Sequence, residues 1–334
     1  MKNRILAALL IGVLSITALG CSDEAPIAEE ITADEPLVLK AGFSTGPADP
    51  RVVATELFKE EVEKATDGRI IIEIHPDGEL GSDADLISGV IDGGVDITAS
   101  SAGNFANYAN DVGISAFPFL FSTFEEAWAF VDGEVEEKAE EELAYYNIKV
   151  LGHYDNGFRC VTTSEKAGPV NSASDMSDLI IRTPENQIVM QTMLSLGAQP
   201  KVLEFTLLYD ALKNGEFDAQ ENPIPVIYNN NLYEVQSNLA ITNHSYDVMP
   251  FVIRKDIWEG LSAEDQQILS DAADKAQAKD RELIKSQTEE YVKELESKGM
   301  TITHPNLDEF KAASSSVFDD LGSSYSSEIL DAVK

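Results

Sequence analysis

Few residues in this chain have types and spacings suited to chemistry. Gly42-Phe43-Ser44-Thr45-Gly46 matches the G-x-S-x-G pattern of a nucleophile elbow, which would make Ser44 an acyl-transfer nucleophile. Such an elbow needs a helix directly after the serine, whereas Pro47 and Pro50 interrupt that stretch. The plainer reading is a turn whose backbone approaches a ligand closely. The four histidines, His75, His153, His244 and His304, lie far apart without H-E-x-x-H spacing. They read as turn or surface residues, so neither a metal nor a cofactor is expected. No phosphate-binding or dinucleotide glycine pattern is present. The glutamates of residues 134–142 read as a solvated helix face, and Trp128 and Trp258 as core or rim packing.

Two arginines stand out. Arg159, in "DNGFRCVTT", and Arg182, in "LIIRTP", lie in apolar, strand-like stretches rather than on helix surfaces. Guanidinium is always charged and offers a planar fork that matches a carboxylate. One reading is two buried ion pairs with the abundant Asp and Glu of the chain. The other is a socket for an external anion. Pro184 ends the strand beside Arg182, and strand ends at an α/β crevice are where ligands bind.

The elements that must position these residues alternate. Strands at 37–43, 69–76 and 95–101 are separated by helices at 52–68 and 83–94, which implies a mostly parallel sheet covered on both faces. Residues 112–121 contain Pro118 and read as a loop or edge segment. A helix over 125–147 leads into a long strand pair or one bent strand over 148–164. A second alternating unit follows, "LIIRT", "NQIVMQTMLSLGA", "KVLEF", "TLLYDALKNG" and "FDAQEN", and then strands at 238–244 and 248–254. Residues 262–299 read as one or two very long helices, N-capped by Ser262 and ended by a glycine. A short strand and a terminal helix close the chain. Two α/β units with a helix able to span both imply two lobes around a cleft.

Composition bounds the partners. The chain has 334 residues and a formal net charge of −35, which disfavours nucleic acid and anionic lipid. An anion site must therefore supply its own local cations. Lys2 and Arg4, the apolar run Ile5 to Leu14 and the small residues before Cys21 form an export signal over residues 1–20. Cys21 sits where a lipobox places its acylated cysteine, so the chain is expected outside the cytoplasm on a lipid anchor. Residues 21–35 then form an acidic tether. Cys160 is the only other cysteine, so with Cys21 acylated no internal disulfide forms.

The segments "GHYDNGFRCVTTS", "IIRTPEN", "LGAQP", "LLYDALKNGEFDAQENP" and "FPFLF" resemble the solute-binding subunits of TRAP transporters, the DctP-type family. "GRIIIEIHPDGELGSDADLI", "YEVQSNLAITNH" and "MTITHPNLDEF" extend the resemblance over nearly all the mature chain, and sialic-acid and sugar-acid binders look especially similar. The resemblance implies a two-lobed, class II-like periplasmic-binding-protein fold with its ligand cleft between lobes. Lobe I would be 36–156 plus 248–287, and lobe II 157–247 plus 288–334. It implies a monomer that captures a small organic acid (a sugar acid, dicarboxylate or keto acid) and delivers it to an ion-driven membrane permease. Catalysis is not expected.

Carried over by motif, Arg182 would pair with the ligand carboxylate and Arg159 would assist. Asn222, Phe205, Ser44, Ser100, Asp83 and Asn243 complete the expected ligand set. The sequence departs from the family pattern at Ala219, where glycine is usual, and at Leu207, where many members have glutamate. Ser100 replaces the acidic residue of sialic-acid binders, which weighs against sialic acid itself. The alternatives are a secreted hydrolase using Ser44 and the receptor of a sensor or ATP-driven importer.

Overall fold

β-Branched and aliphatic runs such as "IIIEIH" and "LIIRT" favour extended backbone, and all of them join one sheet. The computed structural model describes residue 32 and residues 34–332; the leader, Cys21 and most of the tether lie outside them. Nine strands occur among the described residues: β1 (Leu37–Gly42), β2 (Ile70–His75), β3 (Ile97–Ala99), β4 (Ile148–Thr163), β5 (Ile180–Thr183), β6 (Gln199–Val202), β7 (Ala219–Pro223), β8 (Asn238–Arg254) and β9 (Thr301–Thr303). Their order is β2-β1-β3-β8-β4-β7-β5-β6, with β9 beside β8. The outer groups pair in parallel, β1 with β2 and β3, and β5 with β6 and β7. The middle is antiparallel, because β8 pairs with both β3 and β4, and β4 also pairs with β7. The sheet is thus mixed rather than mostly parallel, with a parallel unit at each end and β9 parallel to β8.

The 16-residue β4 and the 17-residue β8 run through both halves. At about 3.3 Å per residue each spans roughly 50 Å. The long helix, Ala263–Ser297, matches them: its 35 residues rise roughly 52 Å at 1.5 Å each. Ser262 caps it by accepting from the Asp265 N–H, and Gly299 follows its end at φ +100°. Leu269, Ala272, Ala273 and Ala276 pack into the β1–β3 core, whereas Leu295 packs into the core beside Leu239 and Ile227. One helix therefore braces both halves.

Two element readings change. The helix expected over 125–147 breaks at Gly133 into Phe124–Val131, Glu134–Glu140 and a 3₁₀ turn, Glu141–Tyr146. The two strands expected at 238–244 and 248–254 are one, with a register jump where Arg159 faces Ser245 but Val161 faces Ala240. The extra residues of β8 bulge there, and Asn243 adopts φ +42°. A second shift falls between Asp155 and Gly157, where Gly157 has φ +96°. Only glycine takes that conformation freely, and an added Cβ would also stand 3.1 Å from Ile284.

The solvated-face reading of residues 134–142 fails at one position: Glu136 is 0 % exposed. Its short helix lies over the Asn110–Ala116 segment, so one face of the glutamate run turns inward. His244, expected at a turn or surface, is also fully buried.

Candidate ligand-binding site

The carboxyl ends of the parallel strands converge. β1 leads into Ser44 and Thr45, β3 into Ser100 and Ser101, β5 carries Arg182, β6 leads into Leu203 to Phe205, and β7 carries Asn222. They meet around a cavity of about 370 Å³ whose lining includes Asp83, Asn104, Tyr108, Arg182, Glu204 and Phe205. A smaller hollow of about 40 Å³ shares Arg182 and Asp83 and adds Ser44, Arg51, Asn156, Arg159 and Asn222. A larger and more open groove, about 680 Å³, lies elsewhere between His153 and Glu137, and its lining includes five acids and one lysine but no arginine. It offers an anion nothing comparable to the arginines of the cleft.

Those arginines differ in their partners. Arg51 is buried against Asp49, with Nε donating to Oδ1 at 2.9 Å and Nη2 to Oδ2 at 3.1 Å. Arg159 donates Nη2 to Glu221 Oε1 at 2.7 Å, Nε to Oε2 and Nη1 to Asp247 Oδ2. Burial would favour a neutral Arg159, but Glu221 and Asp247 outweigh it and hold the guanidinium charged. Burial likewise opposes the Glu221 carboxylate, yet Arg159 and His244 pull it down to about 2. His244 Nε2 lies 3.3 Å from Glu221 Oε2, and its Nδ1 lies 2.8 Å from Thr242 Oγ1. The ion-pair reading is therefore realised at Arg159, inside the cleft wall.

Arg182 is the exception. Its Nε and Nη2 both donate to the Leu203 carbonyl, at 2.8 and 2.6 Å, and Phe205 lies with its ring centre 6.0 Å from the guanidinium. No carboxylate among the described residues forms an ion pair with it, although it is only 2 % exposed. Burial pushes it down to about 10; Glu221 opposes this, the Arg159 charge adds to it, and Asp83 and Glu204 oppose it more weakly. Holding a buried cation without a direct ion pair is costly, and an entering anion relieves that cost.

The remaining expected residues divide. Ser44 and Ser100 both donate to Asp83 Oδ1, at 2.9 and 3.2 Å. Asp83 reaches the cavity, and Ser100 supports it from behind. Asn222 accepts from Arg159 at 3.3 Å and donates to Gln220 at 2.6 Å. Asn243 does not join them: it sits in the β8 bulge and accepts from the Cys160 thiol at 3.2 Å. Leu207 is 55 % exposed and outside the cavity lining. The nucleophile-elbow reading of Ser44 also lacks its geometry, because the loop runs on to a helix that begins only at Pro50.

Sequence reasoning missed Arg51, Asn156, Asp247 and Glu204. Asn156 stood in the quoted "DNGFR" segment beside Arg159. Asp247 gathers Ser101 Oγ at 2.6 Å, Asn156 Nδ2 at 2.9 Å and Arg159 into one buried knot, which only the tertiary pairing of β4 with β8 creates.

A cleft between two α/β halves, with an uncompensated arginine at the strand ends, defines a two-lobed solute receptor. The model for the bacterial extracellular solute-binding proteins of family 7 (DctP) matches residues 42–324, and the chain belongs to that family, the solute-binding proteins of TRAP transporters. The chain is 31% identical over 264 residues to the 2,3-diketo-L-gulonate-binding periplasmic protein YiaO of Escherichia coli (strain K12), covering 79% of this chain and 80% of YiaO. The sugar acid binding protein DctPAm of Advenella mimigardefordensis, solved with galactonate, superposes with a TM-score of 0.86 at 27% identity, over 89% of this chain and 96% of that one. A TRAP periplasmic solute binding protein of Roseobacter denitrificans, solved with L-galactonate, gives 0.82 at 30% identity, over 89% and 97%. The family is extracytoplasmic and works with membrane permease subunits.

Proposed function

We propose that this receptor captures a hydroxylated monocarboxylate of the sugar-acid class and that Arg182 takes the ligand carboxylate. One observation carries the reading: of three buried arginines at the cleft, two are neutralised by their own carboxylates and Arg182 is not. A charge-assisted hydrogen bond contributes about 1.5–3 kcal/mol. A fork of two, with hydroxyl contacts to Asp83, Asn104 and Asn156, supports micromolar binding, about −8 kcal/mol. Relatives solved with galactonate and L-galactonate support the same class. The lobes, 36–156 with 248–287 and 157–247 with 288–334, close on the ligand, and a lipid on Cys21 holds the receptor at the membrane beside its permease.

A thermal-shift series with galactonate, gulonate, erythronate and succinate tests the ligand class. A ligand at a hundred times its dissociation constant stabilises by about 2.7 kcal/mol. Stabilisation by the hydroxy acids but not by succinate is the expected result; stabilisation by none of the hydroxy acids refutes it. For the anchor, Cys21→Ser should move the protein from the membrane to the soluble fraction, and continued retention would refute lipidation.

A further inference from the structure

The cavity has a second pole, opposite in sign to Arg182. The segment after β6 wraps the arginine: the Leu203 carbonyl accepts from it and the Phe205 ring lies over it. Glu204, between them, lines the same 370 Å³ cavity. Asp83, also in that lining, comes from the helix Asp83–Asp92 of the opposite half of the sheet. Only Oδ1 of Asp83 is engaged, by Ser44 and Ser100; its Oδ2 accepts no hydrogen bond from a described residue. Burial and then the Asp83 charge push the Glu204 carboxyl upward, with Ser82 and Arg182 opposing.

We infer that Glu204 is a specificity-determining residue: with Asp83 it forms an acidic pole that accepts hydroxyl donors and rejects a second carboxylate. The inference rests on the proposed monocarboxylate function and adds what excludes dicarboxylates. The rest of a ligand whose carboxylate meets Arg182 shares the 370 Å³ cavity with Asp83 and Glu204. Hydroxyl groups there donate to both acids. A carboxylate there would meet two like charges in a cleft from which closure expels water, where repulsion is strongest. Discrimination by repulsion, added to the attraction at Arg182, follows the general logic of specific sites.

Matched acid pairs test this by calorimetry on the mature protein: galactonate against galactarate, and gulonate against glucarate. Each pair differs chiefly by a second carboxylate at the far end. The expected preference for the monoacid is about tenfold or more, which corresponds to about 1.4 kcal/mol. Glu204→Gln keeps size and an acceptor but removes the charge, so the preference should shrink to under about threefold while the melting temperature stays unchanged. Glu142→Gln, at an exposed position outside the cavity lining, controls for net charge and should leave the ratio alone. A wild-type preference that persists in Glu204→Gln overturns the inference and leaves the proposed function standing. A wild type that binds none of the four acids overturns that function and this inference with it.

Discussion

Arg182 donates twice to the carbonyl oxygen of Leu203, a neutral acceptor, while Arg159 in the same cleft is locked by Glu221 and Asp247. This asymmetry separates a ligand socket from a structural pair. The carbonyl fixes the orientation of Arg182 without cancelling its charge, so an arriving carboxylate finds an aligned, undercompensated cation.

Removing the structural pair should damage the fold first. Glu221→Gln leaves the Arg159 charge buried with Asp247 as its only carboxylate and deprives His244 of its carboxylate partner. Loss of one member of a buried pair typically costs about 3–5 kcal/mol. Urea unfolding of the unligated protein should show a loss on this scale. A change under about 1 kcal/mol would mean that the network is dispensable.

A pH effect arises where β4 shifts register. Asp280, on the long helix, accepts the Asp155 N–H at 2.6 Å, and Trp128 Nε1 donates to Asp155; both acids are fully buried. Burial pushes Asp155 up to about 6, with Asp132 adding and Arg281, Trp128 and Tyr246 opposing. Burial and the Asp155 charge push Asp280 well above the usual range, helped by Asp49 and opposed by Arg51. The folded state thus holds these protons more tightly than the unfolded chain. Their contribution is present below the ordinary carboxylate range, near pH 4, and is lost as pH rises, through about 6 for Asp155 and through its own raised range for Asp280. Asp280→Asn keeps an acceptor for the Asp155 N–H and removes a charge. Its melting temperature should exceed the parent's at pH 8 and match it near pH 4. An equal difference at both would contradict the assignment.

Closure should be visible in solution. β4 and β8 link the halves, and the shift at Gly157 opposite Asp247 marks where they can bend. Small-angle scattering should give a smaller radius of gyration with saturating galactonate. An unchanged radius would mean a rigid cleft.

Local signals carried much of this architecture. Ser262 and Gly299 bound the long helix because caps act within a turn, and the β-branched runs of β2 and β5 name themselves. Gly133 was harder to read, because good helix formers on both sides masked one glycine that ends a helix. Arg182 was legible as a cation in an apolar strand. Arg51 was not, since it looks like a solvated residue in the first turn of a helix. Its burial comes from distant chain, with Nη1 3.5 Å from the Ala99 carbonyl and 3.7 Å from Met249 Sδ. Glu136 and His244 were misread for the same reason: what covers them lies far away in sequence. Asn243 was drawn in by its neighbours' resemblance to a family, yet the β8 bulge turns it to Cys160.

The central claim is that Arg182 receives the ligand carboxylate, and Arg182→Lys tests it most directly. Lysine keeps the charge but loses the planar fork, and its compact ammonium is more strongly hydrated. Calorimetry with galactonate and the melting temperature of the unligated variant are to be read together. A carboxylate-binding Arg182 requires that the variant fold with a near-parental melting temperature while its affinity falls at least tenfold, about 1.4 kcal/mol. Unchanged affinity with a sharply lowered melting temperature would contradict it and make Arg182 a structural residue.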